Sequence, residues 1–495
     1  GWRGGSDDAR VSILGNGASV GERERLKTNL NDILTRIGVG GFHWRLMAIC
    51  GAGWTADNGW TQTVVMILPS VQKQFDLEDW QLGFIGTSLF TGMALGAHFW
   101  GRLADKTGRK FAFNVTLLIA GLSGIAAAAS VNYIMLILLY FVCGTGIGGN
   151  LPVDGAMFAE FTPLVHRGRL MVLLSVFWSL GGFLVALIAW CIIPSHSCDS
   201  RQDCPSTENL GWRYVIGIFG LLNILSVVTR LGLPETPAFL LYSGQIEEAK
   251  AVLRKMARGN GHEESEEGGD VYEDISNLSS TRYTLMSESD EGSGCAGINE
   301  LFEGRDMYLT TLLLWGIWFF STYGFTGFNL FLTKLLETKN IEGGNIYLDA
   351  LIYSSVGVPG AMLGSKLVET SLGRKWTMFW STSVTAGCLL SFLLVTNEEE
   401  VVAVSCLVNA FSMVMFSAYY VYTPEVYRTK CRGRGVGIAS GISRLAGVLA
   451  PVMNSALLAA NAGIWPPMLV NFSFMVLAAI MMASLPIRTK GRALD

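Results

Sequence analysis

Gly101-Arg-Leu-Ala-Asp-Lys-Thr-Gly-Arg-Lys110 is the stretch of sequence that decides the fold, because a second version of it returns later in the chain. The second version reads Ser365-Lys-Leu-Val-Glu-Thr-Ser-Leu-Gly-Arg-Lys375. Each version places an acidic residue a few positions before a Gly-Arg-Lys ending, and each lies between two apolar segments. This recurrence predicts that the chain contains two related halves.

A second motif repeats with the same offset. Glu160 is followed seven residues later by Arg167, and Glu425 is followed seven residues later by Arg432. The differences 374 − 109 and 432 − 167 both equal 265. Two independent motifs that share one offset indicate an internal duplication rather than coincidence.

The composition is that of a membrane protein. Of the 495 residues, 50% are hydrophobic and 15% are charged, and the mean hydropathy is +0.39. About a quarter of the residues of an ordinary soluble domain are charged. These values exclude a disordered, collagenous or nucleic-acid-binding chain, and the net charge of −4 indicates no polyanionic partner.

Apolar windows of about 20 residues predict twelve membrane-spanning helices. They fall into two groups of six, which a long polar stretch separates. The predicted spans are 44–68, 82–100, 111–130, 134–161, 170–193, 214–233, 309–332, 348–368, 376–395, 401–423, 435–460 and 464–485.

The distribution of basic residues predicts the orientation. Nearly all Lys and Arg residues outside the spans fall on one side, which leaves Lys73, Arg201 and Lys339 on the other. By the positive-inside rule, both termini are expected in the cytosol. The predicted organisation is a cytosolic N-terminal segment 1–43, a six-helix bundle 44–233, a cytosolic central loop 234–305 that is partly helical and then disordered, a six-helix bundle 306–487 and a cytosolic tail 488–495.

With these motifs, the chain resembles the major facilitator superfamily. The Gly-x-Leu-x-Asp-x-x-Gly-Arg-Lys signature of that superfamily stands intact at 101–110. Segments 233–237 and 485–492 resemble elements of its sugar-porter branch, whereas 54–58 and 148–154 resemble the synaptic-vesicle-2-related branch, close to nicotinate and organic-ion carriers. The resemblance implies an all-α polytopic membrane protein with two pseudo-symmetric six-helix bundles that rock around a central site.

The repeated loops are expected to form a cytosolic gate. Exposed ion pairs of about 0–1 kcal/mol suit a gate that must open and close. The alternative is that these charges only anchor the chain by the positive-inside rule. The predicted gate residues are Gly101, Asp105, Gly108, Arg109, Glu160, Arg167, Glu369, Arg374, Glu425 and Arg432.

Three charges inside the spans are the strongest signals of function, since such charges are costly in a bilayer and face a partner or a wet cavity. Asp57 is expected near mid-membrane and is the first candidate for a proton-coupling group. For Asp57 the alternative is a fixed structural hydrogen bond. Asp154 lies closer to the inner gate, where proton coupling, gating and simple solvation of the helix end are all open alternatives. Arg444 either anchors a carboxylate of the solute with two hydrogen bonds or pairs with one of the two aspartates.

Aromatic and amide side chains in the spans are candidates for the rest of the binding surface, with packing or lipid contact as the alternative for each. These candidates are Asn58, Trp60, Gln62, Asn150, Trp178, Tyr323, Asn329, Tyr419, Tyr420 and Asn454. The glycines of the run 323–329 are expected to let the seventh span bend near the midplane.

Cysteine usage and motif content predict neither a metal nor a cofactor. Cys198 and Cys204 fall in a predicted external loop, where an oxidising exterior would permit a disulfide between them. The glycine-rich run 144–149 lacks the Gly-Lys-Ser/Thr ending of an ATP site. No nucleophile–base arrangement suggests an enzyme.

The leading hypothesis is a proton-coupled secondary transporter for a small polar organic solute, for which a carboxylate is one possibility. The alternatives are a non-transporting nutrient sensor on the same fold and a sugar or organic-cation carrier. The expected partners are the solute, protons and the lipid bilayer, without nucleic acid, and the chain is expected to be monomeric. The plasma membrane is the expected location, with vacuolar and vesicle membranes as alternatives.

Overall fold

A computed structural model describes residues 30–198, 208–262, 269–276, 278, 298–339, 345–427, 431–460, 463–487 and 489, and within these ranges the regular structure is helical. Twelve long helical segments follow the order of the predicted spans. They are α1 Gly41–Phe75, α2 Gly83–Thr107, α3 Arg109–Ala128, α4 Tyr133–Phe161, α5 Leu164–Ile192, α6 Gly211–Leu231, α7 Arg305–Asn329, α8 Ile346–Glu369, α9 Gly373–Leu394, α10 Glu398–Val426, α11 Arg432–Ala459 and α12 Trp465–Ala483.

Ten of these segments are long and apolar enough to cross a membrane by length and composition. The other two are α1 and α7, which have 35 and 25 residues. At 1.5 Å per residue, even α7 extends about 37 Å and exceeds a hydrocarbon core of about 30 Å. Their lower hydropathy reflects polar residues such as Asp57, Gln62 and Asn329, which are buried inside the protein. The prediction of an all-α fold with twelve spans in two groups of six is confirmed.

The duplication seen in the sequence recurs in the packing. In the first half, α2 and α3 pack against α4, α3 packs against α6, and α1 packs against α5. In the second half, α8 and α9 pack against α10, α9 packs against α12, and α7 packs against α11. Each of these contacts of the first half therefore has its counterpart six helices later.

The two halves meet through α2 with α11 and through α5 with α8. Their contacts include a hydrogen bond from Thr87 Oγ1 to the carbonyl of Val448 (2.9 Å) and one from Ser455 Oγ to the carbonyl of Trp80 (3.0 Å). These residues lie toward the end of α2 that is remote from the loop 101–110. The halves are thus joined on the face opposite that loop.

The central segment contains further helices that pack beneath the first half. Asn260 links them to the start of α1, since its side chain accepts from the amide of Phe42 (3.1 Å) and donates to the carbonyl of Gly38 (2.9 Å). Arg36 and Asp274 form an ion pair at 2.5 Å. The helices are Pro237–Tyr242, Ile246–Gly259 and Gly269–Ser276. The last of these lies in the later part of the central loop, where the sequence predicts disorder.

Helices are interrupted after Asn329 and at Val356, and both points lie near the candidate site. The run 323–329 remains helical, and α7 ends at Asn329, after which a short helix Leu332–Thr338 begins. Gly324 and Gly327 instead allow close approach to α12, because a Cβ on Gly327 would lie 2.3 Å from Asn471 Oδ1. The eighth span breaks at Val356, between Ile346–Ser355 and Gly357–Glu369, which the sequence did not predict.

Candidate functional site

A cavity lies between the two halves and receives side chains from both. The first half contributes residues of α1 and α5, and the second half contributes residues of α7, α8 and α10. Its lining consists of Asn58, Gln62, Trp178, Ser179, Gly182, Phe325, Asn329, Tyr353, Ser354, Gly357, Asn409 and Met413. Four of these, Asn58, Gln62, Trp178 and Asn329, are among the binding residues predicted from the sequence.

Hydrogen bonds between helices hold the amide groups of the cavity in place. On the first half, Asn58 Nδ2 donates to the carbonyl of Trp178 at 2.8 Å. On the second half, Tyr353 Oη donates to Asn329 Oδ1 at 2.9 Å, and Asn409 Nδ2 donates to the carbonyl of Tyr353 at 2.7 Å. Each half therefore presents polar groups whose directions the fold has fixed before any solute enters.

Gln62 differs from these residues because its amide nitrogen has no partner. Gln62 is 3% exposed, and its Nε2 atom lies buried without a hydrogen bond. A buried donor without a partner costs roughly 1–3 kcal/mol. A solute acceptor in the cavity would relieve that cost.

A buried charge network lies beside the cavity, within the first half. Arg230 Nη2 contacts Asp154 Oδ2 at 2.7 Å, and both side chains are fully buried. Arg230 Nη1 donates to Asn150 Oδ1 (3.0 Å) and to the carbonyl of Phe113, and Asn150 Nδ2 donates to Asp57 Oδ1 at 3.1 Å. The Oδ2 atom of Asp57 has no hydrogen-bond partner. Asp57 is thus connected to an ion pair but keeps one oxygen free.

Arg444 reaches across the boundary between the halves. Its Nη1 donates to the carbonyl of Met93 on α2 at 3.3 Å. Its charge is close enough to act on Asp57 and on Tyr420. Asp154, in contrast, takes Arg230 as its ion-pair partner.

The remaining predicted binding residues lie away from the cavity lining. Trp60 packs edge-on against Tyr140 and Phe219, and Tyr323 packs against Phe474. The others pack or bond within the second half: Tyr419 and Tyr420 contact Trp318, and Asn454 accepts a hydrogen bond from Asn471 at 3.0 Å.

The predicted gate forms one Arg–Glu pair in each half. Arg109 Nε contacts Glu160 Oε1 at 3.2 Å, and Arg374 Nη2 contacts Glu425 Oε1 at 3.0 Å. Both pairs join residues that are 51 positions apart in the chain. In this conformation each pair therefore ties two helices of the same half.

Glu235 completes the pair of the first half, and sequence reasoning did not assign it to the gate. Its carboxylate accepts hydrogen bonds from the backbone amides of Arg109 and Lys110, both at 3.0 Å. Gly108 has φ +97°, and a Cβ there would lie 2.4 Å from Glu235 Oε2. Thr236 Oγ1 donates to Glu160 Oε2 at 2.6 Å. Glu235 thus caps the N-terminus of α3 and connects the two motifs.

The other predicted gate residues have different surroundings. Arg167 donates to a backbone carbonyl at the end of α4 (3.1 Å), and Glu369 is exposed. Gly101 lies inside α2 with open space around it. The side chains of Asp105 and Arg432 lie outside the described part of the structure.

We expect Glu235→Gln to lower the melting temperature of the purified chain. One carboxylate oxygen of Glu235 is replaced by an NH₂ group that faces a backbone donor, so at least one capping bond is lost, at a cost of about 1 kcal/mol. For a chain of 495 residues this loss corresponds to a fall of about 1 °C. Glu369→Gln is the control, because that side chain is exposed. Equal melting curves for the two variants would contradict the capping role.

The predicted disulfide falls partly beyond the description. Cys198 is disulfide-bonded, but Cys204 lies outside the described residues, so the pairing of these two stays a prediction. Among the residues that the structure describes, no group of three His, Cys, Asp or Glu side chains could hold a metal ion.

Besides Glu235, three further residues escaped the sequence reasoning. Arg230 carries a charge inside a predicted span, which was the signal used for Asp57, but it lies near the end of that span, where cations are usually anchors. Asn409 and Tyr353 carry no comparable signal, because amide and phenol groups are common in membrane helices.

Comparison with known proteins agrees with this fold. The family model of the Major Facilitator Superfamily matches residues 47–451 and also 314–494. The siderochrome iron transporter 1 of Ceriporiopsis subvermispora is 32% identical over 93% of this chain and 90% of its own length. The synaptic vesicle 2-related protein of Pongo abelii is 27% identical (94% and 82%), and the niacin transporter NiaP of Acinetobacter baylyi is 29% identical (94% and 99%).

Among solved structures, the inward open conformation of the xylose transporter XylE from E. coli superposes with a TM-score of 0.69. It covers 91% of this chain and 98% of its own, at 18% identity, and therefore supports the fold alone. The resemblance to the synaptic-vesicle-2-related branch is confirmed by the relatives above. The expectation that the chain is not an enzyme is confirmed as well, because the matched family consists of carriers. The chain belongs to the Major Facilitator Superfamily and is a multi-pass membrane transporter.

Proposed function

We propose that the chain is a proton-coupled secondary transporter that moves a small polar organic solute by alternating access. The observation that carries this proposal is the cavity between the halves, which Asn58 and Gln62 line from one side and Asn329 and Asn409 line from the other. A solute that contacts both halves can couple its own binding to their relative movement.

The cavity lining indicates the chemistry of the solute. Gln62 Nε2 is an unpartnered donor, which calls for an acceptor such as a carbonyl or carboxylate oxygen. Trp178, Phe325 and Tyr353 offer aromatic surface for a flat, apolar body. Arg444 does not line the cavity, but its positive charge acts on Asp57, the neighbour of the lining residue Asn58, and favours an anion there. A small, preferably aromatic, carboxylate fits these features, and niacin, which the name of the Acinetobacter relative gives as its cargo, is of that class.

Orientation follows from the basic loops. The face with the loop 101–110 is placed in the cytosol by the positive-inside rule, as are both termini. Because the halves are joined on the opposite face, the structure corresponds in this proposal to the state that opens toward the cytosol. In the opposite state we expect the Arg109–Glu160 and Arg374–Glu425 layer to bring the two halves together.

The proposal is tested with purified chain and proteoliposomes. Small carboxylates, sugars and organic cations are first screened for thermal stabilisation, since a bound solute raises the melting temperature by mass action. The stabilising solute is then offered to proteoliposomes with and without an inward proton gradient. We expect a carboxylate to stabilise the chain and to accumulate only with the gradient. Saturable binding without any flux would contradict transport.

Gln62→Leu tests the cavity as the binding site. Leucine fills a similar volume but donates no hydrogen bond to the solute. We expect the apparent affinity to fall about tenfold, which corresponds to a loss of about 1.4 kcal/mol. Gln245→Leu makes the same change at an exposed position and serves as the control. Unchanged affinity in Gln62→Leu would remove this residue from the binding site.

A further inference from the structure

Arg230 is a buried cation whose position the binding cavity does not explain. It is fully buried one residue before the end of α6, and its guanidinium lies 3.8 Å from the centre of the Phe113 ring. Burying such a charge is costly unless its hydrogen-bonding groups are satisfied. Its two terminal nitrogens are satisfied by Asp154, Asn150 and the carbonyl of Phe113, whereas Nε is buried without a partner. The contacts of the terminal nitrogens also impose a direction on the network.

The direction arises from the chemistry of the guanidinium. Arginine has five donors and no acceptor, so the side-chain atom of Asn150 that faces Arg230 must be the oxygen. The amide nitrogen of Asn150 must then face the opposite way, toward Asp57 Oδ1 at 3.1 Å. Without Arg230, both orientations of the Asn150 amide would be open.

A donor on Oδ1 decides which oxygen of Asp57 binds a proton. Oδ1 already accepts a hydrogen bond from Asn150, whereas Oδ2 is buried without a partner. We propose that Arg230 is a positioning residue of the proton-coupling site: it orients Asn150, and Asn150 in turn reserves Oδ2 of Asp57 as the atom that binds and releases the proton. This inference rests on the proposed proton coupling.

Asp154 has a different part in the same network. The guanidinium, which is always charged, bonds Asp154 directly at 2.7 Å, whereas Asp57 is linked to it only through Asn150. Asp154 Oδ1 is also buried without a partner, so the assignment of the proton to Asp57 depends on this difference in pairing. The other titratable or charged groups that act on this site are Arg444, which faces Asp57 from the second half, and the thiols of Cys143 and Cys50. Asp57 is therefore the carboxyl group whose protonation can follow the pH of the open compartment.

Infrared difference spectroscopy of the purified full chain tests the inference. A protonated carboxyl group has a C=O stretch distinct from the carboxylate bands, and Asp57→Asn identifies the band of Asp57. In Arg230→Lys, a compact ammonium group replaces the planar guanidinium. It cannot bond Asp154 and Asn150 in the fixed geometry that orients the Asn150 amide. We expect the titration midpoint of the Asp57 band to move upward by at least about one pH unit, because the carboxylate loses its donor.

Asn150→Leu is the second variant, and it cuts the same link while the Asp154–Arg230 pair stays intact. We expect it to move the midpoint in the same direction, so it decides the matter if Arg230→Lys does not fold. Arg213→Lys is the control, because Arg213 lies on the same helix but donates to the carbonyls of Ala128 and Ser130. Wild-type midpoints in both network variants would overturn the inference.

Transport separates this inference from the proposed function. In proteoliposomes, we expect Arg230→Lys to reduce gradient-driven accumulation while solute exchange persists. If the wild-type chain shows the titrating Asp57 band but no gradient-driven accumulation, the proposed coupling fails and the positioning role stands. If Asp57→Asn removes no titrating band, the positioning role is overturned.

Discussion

Replacing Asp57 by asparagine is expected to abolish gradient-driven accumulation of the solute while solute exchange continues. Asparagine has nearly the same shape as aspartate, and its oxygen can still accept the hydrogen bond that Asn150 donates at 3.1 Å. It cannot bind and release a proton, so the fold and cavity should persist while coupling is lost. The buried Oδ2 atom without a partner is the site that this substitution removes.

The size of the effect follows from the gradient. A difference of one pH unit supplies about 1.36 kcal/mol per proton, so a transporter that moves one proton per solute can accumulate about tenfold. We expect the wild-type chain to approach that ratio and Asp57→Asn to stay near a ratio of one. Asp306→Asn is the control, since Asp306 is exposed in the first turn of α7. A tenfold accumulation by Asp57→Asn would exclude Asp57 from coupling.

Gly53→Ala is expected to have the largest effect on stability. A Cβ at this position would lie 1.7 Å from Asp154 Oδ2, 2.0 Å from Arg230 Nη2 and 2.8 Å from Asn150 Nδ2. No rotation of a flexible end relieves this contact, because the guanidinium and both partners are buried and bonded to one another. The methyl group must therefore separate the ion pair or push α1 away from α4.

Breaking a buried ion pair costs about 3–5 kcal/mol. We expect Gly53→Ala either to yield little folded chain or to melt roughly 3–5 °C below the wild type, because a chain of 495 residues has an unfolding entropy of about 1 kcal/mol per kelvin. Gly387→Ala is a matched control, because Gly387 is also inside a helix but has no neighbour within 4 Å of a new Cβ. Removal of a helical glycine favours the helix by about 0.5–1 kcal/mol. Gly387→Ala should thus be neutral or stabilising, and equal melting of the two variants would show that the network tolerates an extra methyl group.

The fold could be predicted from the sequence because its determinants are local or repeated. Runs of apolar residues identify the spans wherever they lie, and the offset of 265 identifies the two halves without any knowledge of packing. The Arg109–Glu160 and Arg374–Glu425 pairs lie in the loop motifs whose residues the sequence had marked as a gate. The sequence also predicts α1 and α7, whose hydropathy is low, because their few polar residues lie within a long apolar stretch.

The candidate site could be predicted only in part. Charge inside a span identified Asp57 and Asp154, since burial of a carboxylate in a bilayer is costly wherever it occurs. The partners of these carboxylates are Asn150 and Arg230. Both come from other helices, and no sequence pattern links them to Asp57. The sequence also did not distinguish which aromatic candidates contact the cavity. Trp178 lines it, whereas Trp60 packs inside the first half.

The sequence by itself determined that this chain is helical, that it spans a membrane in two related sets of six helices, and that its basic loops share one face. Hydropathy, duplication and charge are properties of short segments, so no tertiary contact is needed to detect them. Only the tertiary structure decided that Arg230 pairs with Asp154, and that Gln62 and Asn409 face one cavity from opposite halves. Those relations depend on how helices far apart in the chain rotate and pack against each other, which the spacing of residues within one helix does not specify.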